Sequence, residues 1–304
     1  MPTASEIRAM RQAIALSALG RGTTSPNPPV GCVILDRHGD QVGAGFHRRK
    51  GEPHAEANAL ASAGSRADGG TAVVTLEPCN HVGVTPACRQ LLLDANVSRV
   101  LIAIVDPTSR GEGGAAVLKA AGVDVEVGVL ANEAQAVLGP WLTATRRRRP
   151  WVVWFFPSLG HTGDTVNLPP VRDLRQQADI VISPDGQILE GIPGGHGKGR
   201  LQHPARIKFT DSIASLNQLF DGGTRTALIV GDTAFARELV AREAIDQAMI
   251  DVPRSNSDIV AADQIQELSI FDFHVEAVTT TSNAIRIIAR PDAPHCPSDS
   301  DDGI

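Results

Sequence analysis

Apolar positions change their spacing repeatedly along the first 144 residues. Ile7, Met10 and Ile14 recur every three or four residues behind Thr3 and Glu6, whose S/T-x-x-E spacing is a capping box, so an amphipathic helix is predicted there. Short apolar runs follow at 30–35 and 41–45, then an alanine-rich helix over 54–63. The β-branched stretch "TAVVTLEPC" predicts a strand that ends in a loop; 86–95 reads as a helix, "RVLIAIVDP" as a strand, 115–121 as a short helix and "VDVEVGVL" as a strand. Strands alternating with helices of about ten residues predict an α/β sandwich around one mixed sheet.

The run "TRRRRP" interrupts this pattern. Four adjacent arginines repel one another and read as a solvated linker or domain edge. A second α/β block follows, and its clearest unit, "RTALIVGDTAFARELVAREAIDQAMIDV", reads strand, turn, helix, strand, as in a parallel crossover. The tail "RPDAPHCPSDSDDGI" is rich in Pro, Ser and Asp and predicts disorder. The expected division is therefore a first domain at 1–145, a basic linker at 146–149, a second domain at 150–290 and a disordered tail at 291–304.

Composition narrows the functional classes. The 304 residues carry a net charge of -6 and only 4% aromatics, with no tyrosine, which speaks against a nucleic-acid partner. No run of 18 apolar residues suggests a membrane span. Without a secretory leader the expected compartment is a reducing cytoplasm. There Cys32 reads as part of a buried strand and Cys296 as a free thiol in the tail, while Cys79 and Cys88 are free to hold metal.

"PHAEANAL" sets His54 and Glu56 at the opening of the alanine-rich helix, and "LEPCNHVGVTPAC" sets Cys79 and Cys88 between a strand and the next helix. One imidazole and two thiols leave a zinc ion one open position, the arrangement of a catalytic site. His81 is either a fourth ligand or, the preferred reading, a substrate-facing residue. Glu56, two positions beyond a ligand, can move protons without binding metal. H-x-E followed by P-C and a further Cys is a variant of the zinc nucleobase deaminase signature, with the cysteines more widely spaced than usual.

With "SPNPPVGCVI", "GAGFH", "GEPHAEANAL", "TLEPCNHVGVTPAC" and the "DP" after the strand at Val100, the first domain resembles the bifunctional riboflavin-biosynthesis deaminase/reductase family. The resemblance implies a cytidine deaminase-like three-layer domain that hydrolyses an amine of a diaminohydroxy-phosphoribosylamino-pyrimidine, and a homodimer is expected. It implies pyrimidine contacts from Asn27 and His47, a polar contact from His81, and a pocket lined by Glu77 and Thr108. Two departures stand out. Val84 occupies a place where the family carries Lys or Arg suited to a phosphate, and Thr108 a place where it carries Asn. The first implies weakened phosphate binding, unless Arg89 or Arg110 compensates.

The family's second domain is a dihydrofolate reductase-like α/β domain that uses NADPH. Here that block is short, and Val230, Gly231 and Asp232 stand where the family reads Glu-Gly-Gly. Asp232 at a helix N-terminus repels a pyrophosphate, so a degenerate reductase that keeps its fold without NADPH is expected. "GGHGKGR" lacks the first glycine and the Ser/Thr of a phosphate loop and reads as a flexible loop. Two other readings are a fully bifunctional enzyme, separated by coenzyme binding, and a non-catalytic scaffold, separated by metal content.

Overall fold

The computed structural model describes residues 1–80, 86–109, 113–157, 168–197, 199–207, 211–253, 273–280 and 284–291. In the first half, helix α1 (Ala4–Ala18) begins at the expected capping box, Glu6 N–H donating to Thr3 Oγ1 at 3.2 Å and Thr3 N–H to Glu6 Oε2 at 2.7 Å. Five strands form one sheet in the order β2-β1-β3-β4-β5: β1 (Gly31–Leu35), β2 (Gln41–Phe46), β3 (Thr71–Leu76), β4 (Arg99–Ile104) and β5 (Asp124–Val127). β1 is antiparallel to both neighbours, while β3, β4 and β5 are parallel.

Period-2 alternation divides the core between the two faces of this sheet. Val33, Val73 and Leu101 pack with Ala9, Met10 and Ala13 of α1. Cys32, Val74, Val100 and Ile102 pack with helix α2 (Ala55–Ala63) and with Leu92 of α3 (Cys88–Asp94) and Leu118 of α4 (Gly113–Ala120). The result is the predicted mixed sheet between helical layers.

The alanine richness of α2 has a steric cause. Ala55, Ala59 and Ala63, spaced by four, are buried against β2, where Gly43 and Gly45 have no side chain to hold the helix away. A Cβ on Gly45 would stand 2.6 Å from Ala59 N, and one on Gly43 2.3 Å from Ala59 O. The helix therefore lies directly on the strand, which sets the height of its first residues above the sheet.

The stretch "VDVEVGVL" is strand only as far as Val127; Gly128 turns away at φ +91° and helix α5 (Ala131–Arg147) follows. Sequence patterning does not predict α5 because Gly139 and Pro140 lie inside it. Pro140 has no N–H for the carbonyl of Ala136. Arg21 supplies the missing donor through Nη2, and through Nη1 donates to Gln177 of the second half at 2.8 Å.

The basic run stands at the edge between the two halves, with Arg146, Arg147 and Arg148 exposed. Arg146 and Arg147 end α5, and Arg147 and Arg149 both donate to Asp246, at 2.6 and 3.0 Å, whose side chain is 3% exposed and also accepts Val152 N–H at 2.8 Å. Arg148 pairs with Asp221 at 3.4 Å. The charges that repel one another in the sequence are spread over carboxylates of the second half.

That half is a seven-stranded sheet in the order β11-β12-β10-β6-β9-β7-β8. Its parallel centre is β6 (Trp151–Pro157), β7 (Ile180–Ile182), β9 (Thr226–Val230) and β10 (Gln247–Pro253), flanked by β8 (Ile188–Glu190) and the hairpin β11 (Phe273–Thr280) and β12 (Ala284–Pro291). Helices α7 (Ser212–Asp221) and α8 (Ala234–Ala241) bury Leu216, Leu219, Phe235 and Leu239 on one face, and α6 (Pro169–Arg175) places Val171 and Leu174 on the other. The predicted crossover is present as β9, α8 and β10, with β6 between the two strands.

"GGHGKGR" is not a free loop over its described residues. His196 is wholly buried, with Nε2 3.5 Å from Asp179 Oδ1. Asp232 is ion-paired with Arg237, which offsets the repulsion expected of it. Among the described residues no helix is long and apolar enough to cross a membrane. The predicted tail and Cys296 lie outside the described residues.

Candidate active site

His54 is the N-cap of α2, with extended backbone, and Cys88 begins α3, so each ligand candidate stands at a helix N-terminus above the ends of β1 and β3. Cys79 follows β3 after Glu77, whose N–H is held by Ile104 O at 2.9 Å. These three side chains converge: His54 Nδ1 lies 3.3 Å from Cys88 Sγ and 3.8 Å from Cys79 Sγ, and all three ligand atoms lie within 4.8 Å of one another. Ligands around a tetrahedral zinc at about 2.0 Å (N) and 2.3 Å (S) are roughly 3.5–3.8 Å apart, so the donor set fits the ion.

Electrostatics support the same fit. Cys79 sits well below the usual thiol range, at about 4, because Cys88 donates to it and His54 lies beside it. Cys88 is pushed far up by that same thiolate and by burial. The protein alone therefore stabilises one thiolate, and a divalent cation is what allows both to ionise at once. Among the described residues this is the one group of three His, Cys, Asp or Glu side chains placed to hold a metal.

Glu56, one turn into α2, is 3% exposed, and burial raises its pKa while His54 pulls it down. It lines a cavity of about 290 Å³ together with His54 and Cys79. Asn27 and His47 line the same cavity. His47 Nδ1 lies 3.2 Å from Pro53 O, and its Nε2 lies 3.3 Å from Asn27 Nδ2. A carbonyl can only accept, so the network assigns the proton to Nδ1 and makes Nε2 an acceptor for the Asn27 amide. Burial holds the ring's pKa down at about 4, consistent with a neutral imidazole.

Thr108 also lines the cavity, but its hydroxyl and backbone N–H both donate to Asp106 Oδ1, at 2.7 and 2.8 Å. Its oxygen remains available to accept. Glu77 lines the cavity as expected, yet its carboxylate is engaged as scaffold, accepting Asp106 N–H at 3.2 Å and Ala115 N–H at 2.9 Å. Gly113, at φ +83°, brings the start of α4 so close that a Cβ would lie 2.4 Å from Glu77 Oε1. Arg89 is bound to Asn80 and does not line the cavity. His81, Val84 and Arg110 lie outside the described residues.

Three lining residues were not foreseen: Trp141 and Thr145 of α5, and Arg225 at the edge of β9. The two on α5 were hidden with their helix. Arg225 has no local sequence signal, since it belongs to the other half of the chain.

Residues 3–104 match the family model described as the cytidine and deoxycytidylate deaminase zinc-binding region. The diaminohydroxyphosphoribosylamino-pyrimidine deaminase of Buchnera aphidicola subsp. Acyrthosiphon pisum is 49% identical over 127 residues, which cover 41% of this chain and 86% of that protein. The chain belongs to this deaminase family. The riboflavin biosynthesis protein RibD of Escherichia coli is 46% identical over 144 residues, 47% of this chain and 39% of that protein, so the match spans well under half of that longer relative. The fold of the whole chain is similar to a diaminohydroxyphosphoribosylaminopyrimidine deaminase/5-amino-6-(5-phosphoribosylamino)uracil reductase from Thermotoga maritima, with a TM-score of 0.75 at 22% identity, covering 94% of this chain and 99% of that one. That likeness extends the two-part architecture across the second half.

Proposed function

We propose that the chain hydrolyses an exocyclic amine of a diaminohydroxy-phosphoribosylamino-pyrimidine, releasing ammonia and leaving a carbonyl, as a step of riboflavin biosynthesis. The observation that carries this reading is the convergence of His54, Cys79 and Cys88 beside a buried carboxyl, Glu56, in one cavity. Zinc, when bound by those three side chains, supplies the Lewis acidity that makes water nucleophilic at neutral pH.

The remaining work falls to the chain. Glu56, kept from solvent, accepts a proton from the attacking water and returns it to the departing amine; its burial favours the protonated state that this return requires. Asn27 is oriented by His47, and the neutral His47 is oriented by Pro53 O, so a pyrimidine edge meets fixed donors and acceptors. The two halves divide at the end of α5, and the first carries the deaminase chemistry.

For the second half we propose a reductase-like fold without NADPH turnover, supported by Val230, Gly231 and Asp232 in place of a glycine-rich approach to α8. We also propose a homodimer in the cytoplasm. The dimer is supported by β11, an eight-residue edge strand that exposes Val275 and Val278.

The test is direct. The purified chain is incubated with the pyrimidine, with and without NADPH, and products are identified by mass. Deamination with stoichiometric zinc is expected, and Glu56→Gln should retain zinc while losing about 10²–10⁴-fold in kcat. Near-full activity in Glu56→Gln refutes the proton role; a pyrimidine of unchanged mass after incubation with the zinc-loaded wild type refutes the deaminase.

A further inference from the structure

Arg225 belongs to the second half, yet its side chain lines the cavity that holds Glu56 and His54. Packing between the halves accounts for its reach. The turn before it lies against the wall of the site, where a Cβ on Gly223 would stand 3.6 Å from Pro26 Cδ, and Pro26 precedes Asn27. Trp141, which also lines the cavity, ties Pro26 to α5 by donating to its carbonyl at 2.9 Å.

The residue is held in place at both ends. Its backbone N–H donates at 2.7 Å to Asp179 Oδ2, and Asp179 is itself fully buried. The guanidinium lies 3.9 Å from the ring centroid of Phe220, and Nη1 donates to the carbonyls of Phe220 and Thr224 at 2.9 and 3.0 Å.

Asp179 and Asp221 act on this cation from a distance, but neither carboxylate touches the guanidinium. Among the described residues no carboxylate forms an ion pair with it, and its Nε is buried without a hydrogen-bond partner. The acids around the cavity are engaged elsewhere: Glu77 by two backbone amides, Asp106 Oδ1 by Thr108, and Asp179 Oδ2 by the amides of Arg225 and Thr226. Burial pulls the guanidinium's pKa below its ordinary value, with Arg148 adding to the fall and Asp179 and Asp221 opposing it. A desolvated guanidinium with unspent donors is costly unless an anion arrives to share them.

Resting on the deaminase reading above, we propose that Arg225 recognises the phosphate on the ribosyl arm of the substrate, so that the second half contributes specificity to the reaction of the first. Val84 then marks a cation moved from the loop of one half to a strand end of the other. Asp179 is its positioning residue.

The test compares the zinc-loaded full chain with Arg225→Lys and Arg225→Ala on the 5′-phosphorylated pyrimidine and on its dephosphorylated form. Loss of a charge-assisted bond predicts a fall of about 30-fold in kcat/KM on the phosphorylated substrate for Arg225→Ala, carried by KM, with a smaller fall for Arg225→Lys. The dephosphorylated substrate should change less than about threefold. A second readout needs no turnover: ribose 5-phosphate should bind the wild type in calorimetry and bind Arg225→Lys more weakly, which covers the case of an Arg225→Ala chain that does not fold. Equal losses on both substrates, or unchanged ribose 5-phosphate binding, overturn the assignment of Arg225 alone. A wild type that deaminates neither pyrimidine overturns the deaminase reading and this proposal with it.

Discussion

Replacing Gly45 by alanine tests whether the seating of α2 on β2 sets the metal site. The added Cβ would meet Ala59 N at 2.6 Å, Asn58 Cβ at 2.6 Å and Ala55 O at 2.9 Å, where ordinary contact begins at 3.4 Å. Two of these atoms are helix backbone, so no rotamer change relieves the clash and the first turns of α2 must rise by most of an ångström. Overpacking of this kind costs about 1–3 kcal/mol. The same displacement carries His54 away from two thiols now 3.3 and 3.8 Å from its Nδ1, whereas a working zinc site tolerates only about ±0.2 Å in its ligand distances. Zinc affinity, measured by competition with a chromophoric chelator, should therefore fall by at least about tenfold. Gly43→Ala is the internal control. Its clashes, 2.3 Å to Ala59 O and 2.9 Å to Ala63 N, fall toward the C-terminal end of the helix, so it should lose comparable thermal stability and less zinc affinity. If Gly45→Ala lowers the Tm yet binds zinc like the wild type, α2 seating does not govern the ligand geometry.

Two further outcomes follow from the same site. Cys88→Ser should reduce bound zinc well below one per chain by elemental analysis, because a hydroxyl does not replace a thiolate ligand; full occupancy would remove Cys88 from the ligand set. His47 holds a pKa of about 4 against an ordinary 6.5. A folded-state value below the unfolded one means that the linked stability, on the order of 3 kcal/mol, is present above pH 6.5 and is lost as pH falls through 4. Nitrogen NMR of the zinc-loaded protein at pH 5.5 should show a neutral ring protonated at Nδ1, and a titration midpoint near 6.5 would contradict the burial account.

What could be read in the sequence was what local rules govern. The capping box at Thr3 and Glu6, the alternation of β1 and β3, and the placing of His54 and Cys88 at helix starts each depend on neighbours a few residues away. Where a local rule was overridden by a distant partner, the reading failed. Gly139 and Pro140 argue against a helix, and the helix is held by burial of Val137, Leu138, Trp141 and Leu142, with Arg21, more than a hundred residues earlier, donating to the carbonyl that Pro140 abandons. Four arginines mark a linker or domain edge, and they stand at one, but nothing local reveals that Asp246 and Asp221 pair with three of them. "GGHGKGR" argues for flexibility, and the burial of His196 beside Asp179 removes it.

These failures share a location. Arg21, α5, the arginine run and Asp179 all lie where the halves meet, and there each side supplies polar groups the other lacks: Arg21 donates to Gln177, and Arg147 and Arg149 to Asp246. Opening the seam would break these hydrogen bonds, among them that of Arg149 to the 3% exposed carboxylate of Asp246. These bonds fix how the halves meet, and that contact brings Arg225, just before β9, to the cavity lined by Cys79 beyond the end of β3. The second half thus has a physical reason to keep its fold, with or without a coenzyme: it supplies Arg225 to the wall of the cavity that holds the candidate metal ligands.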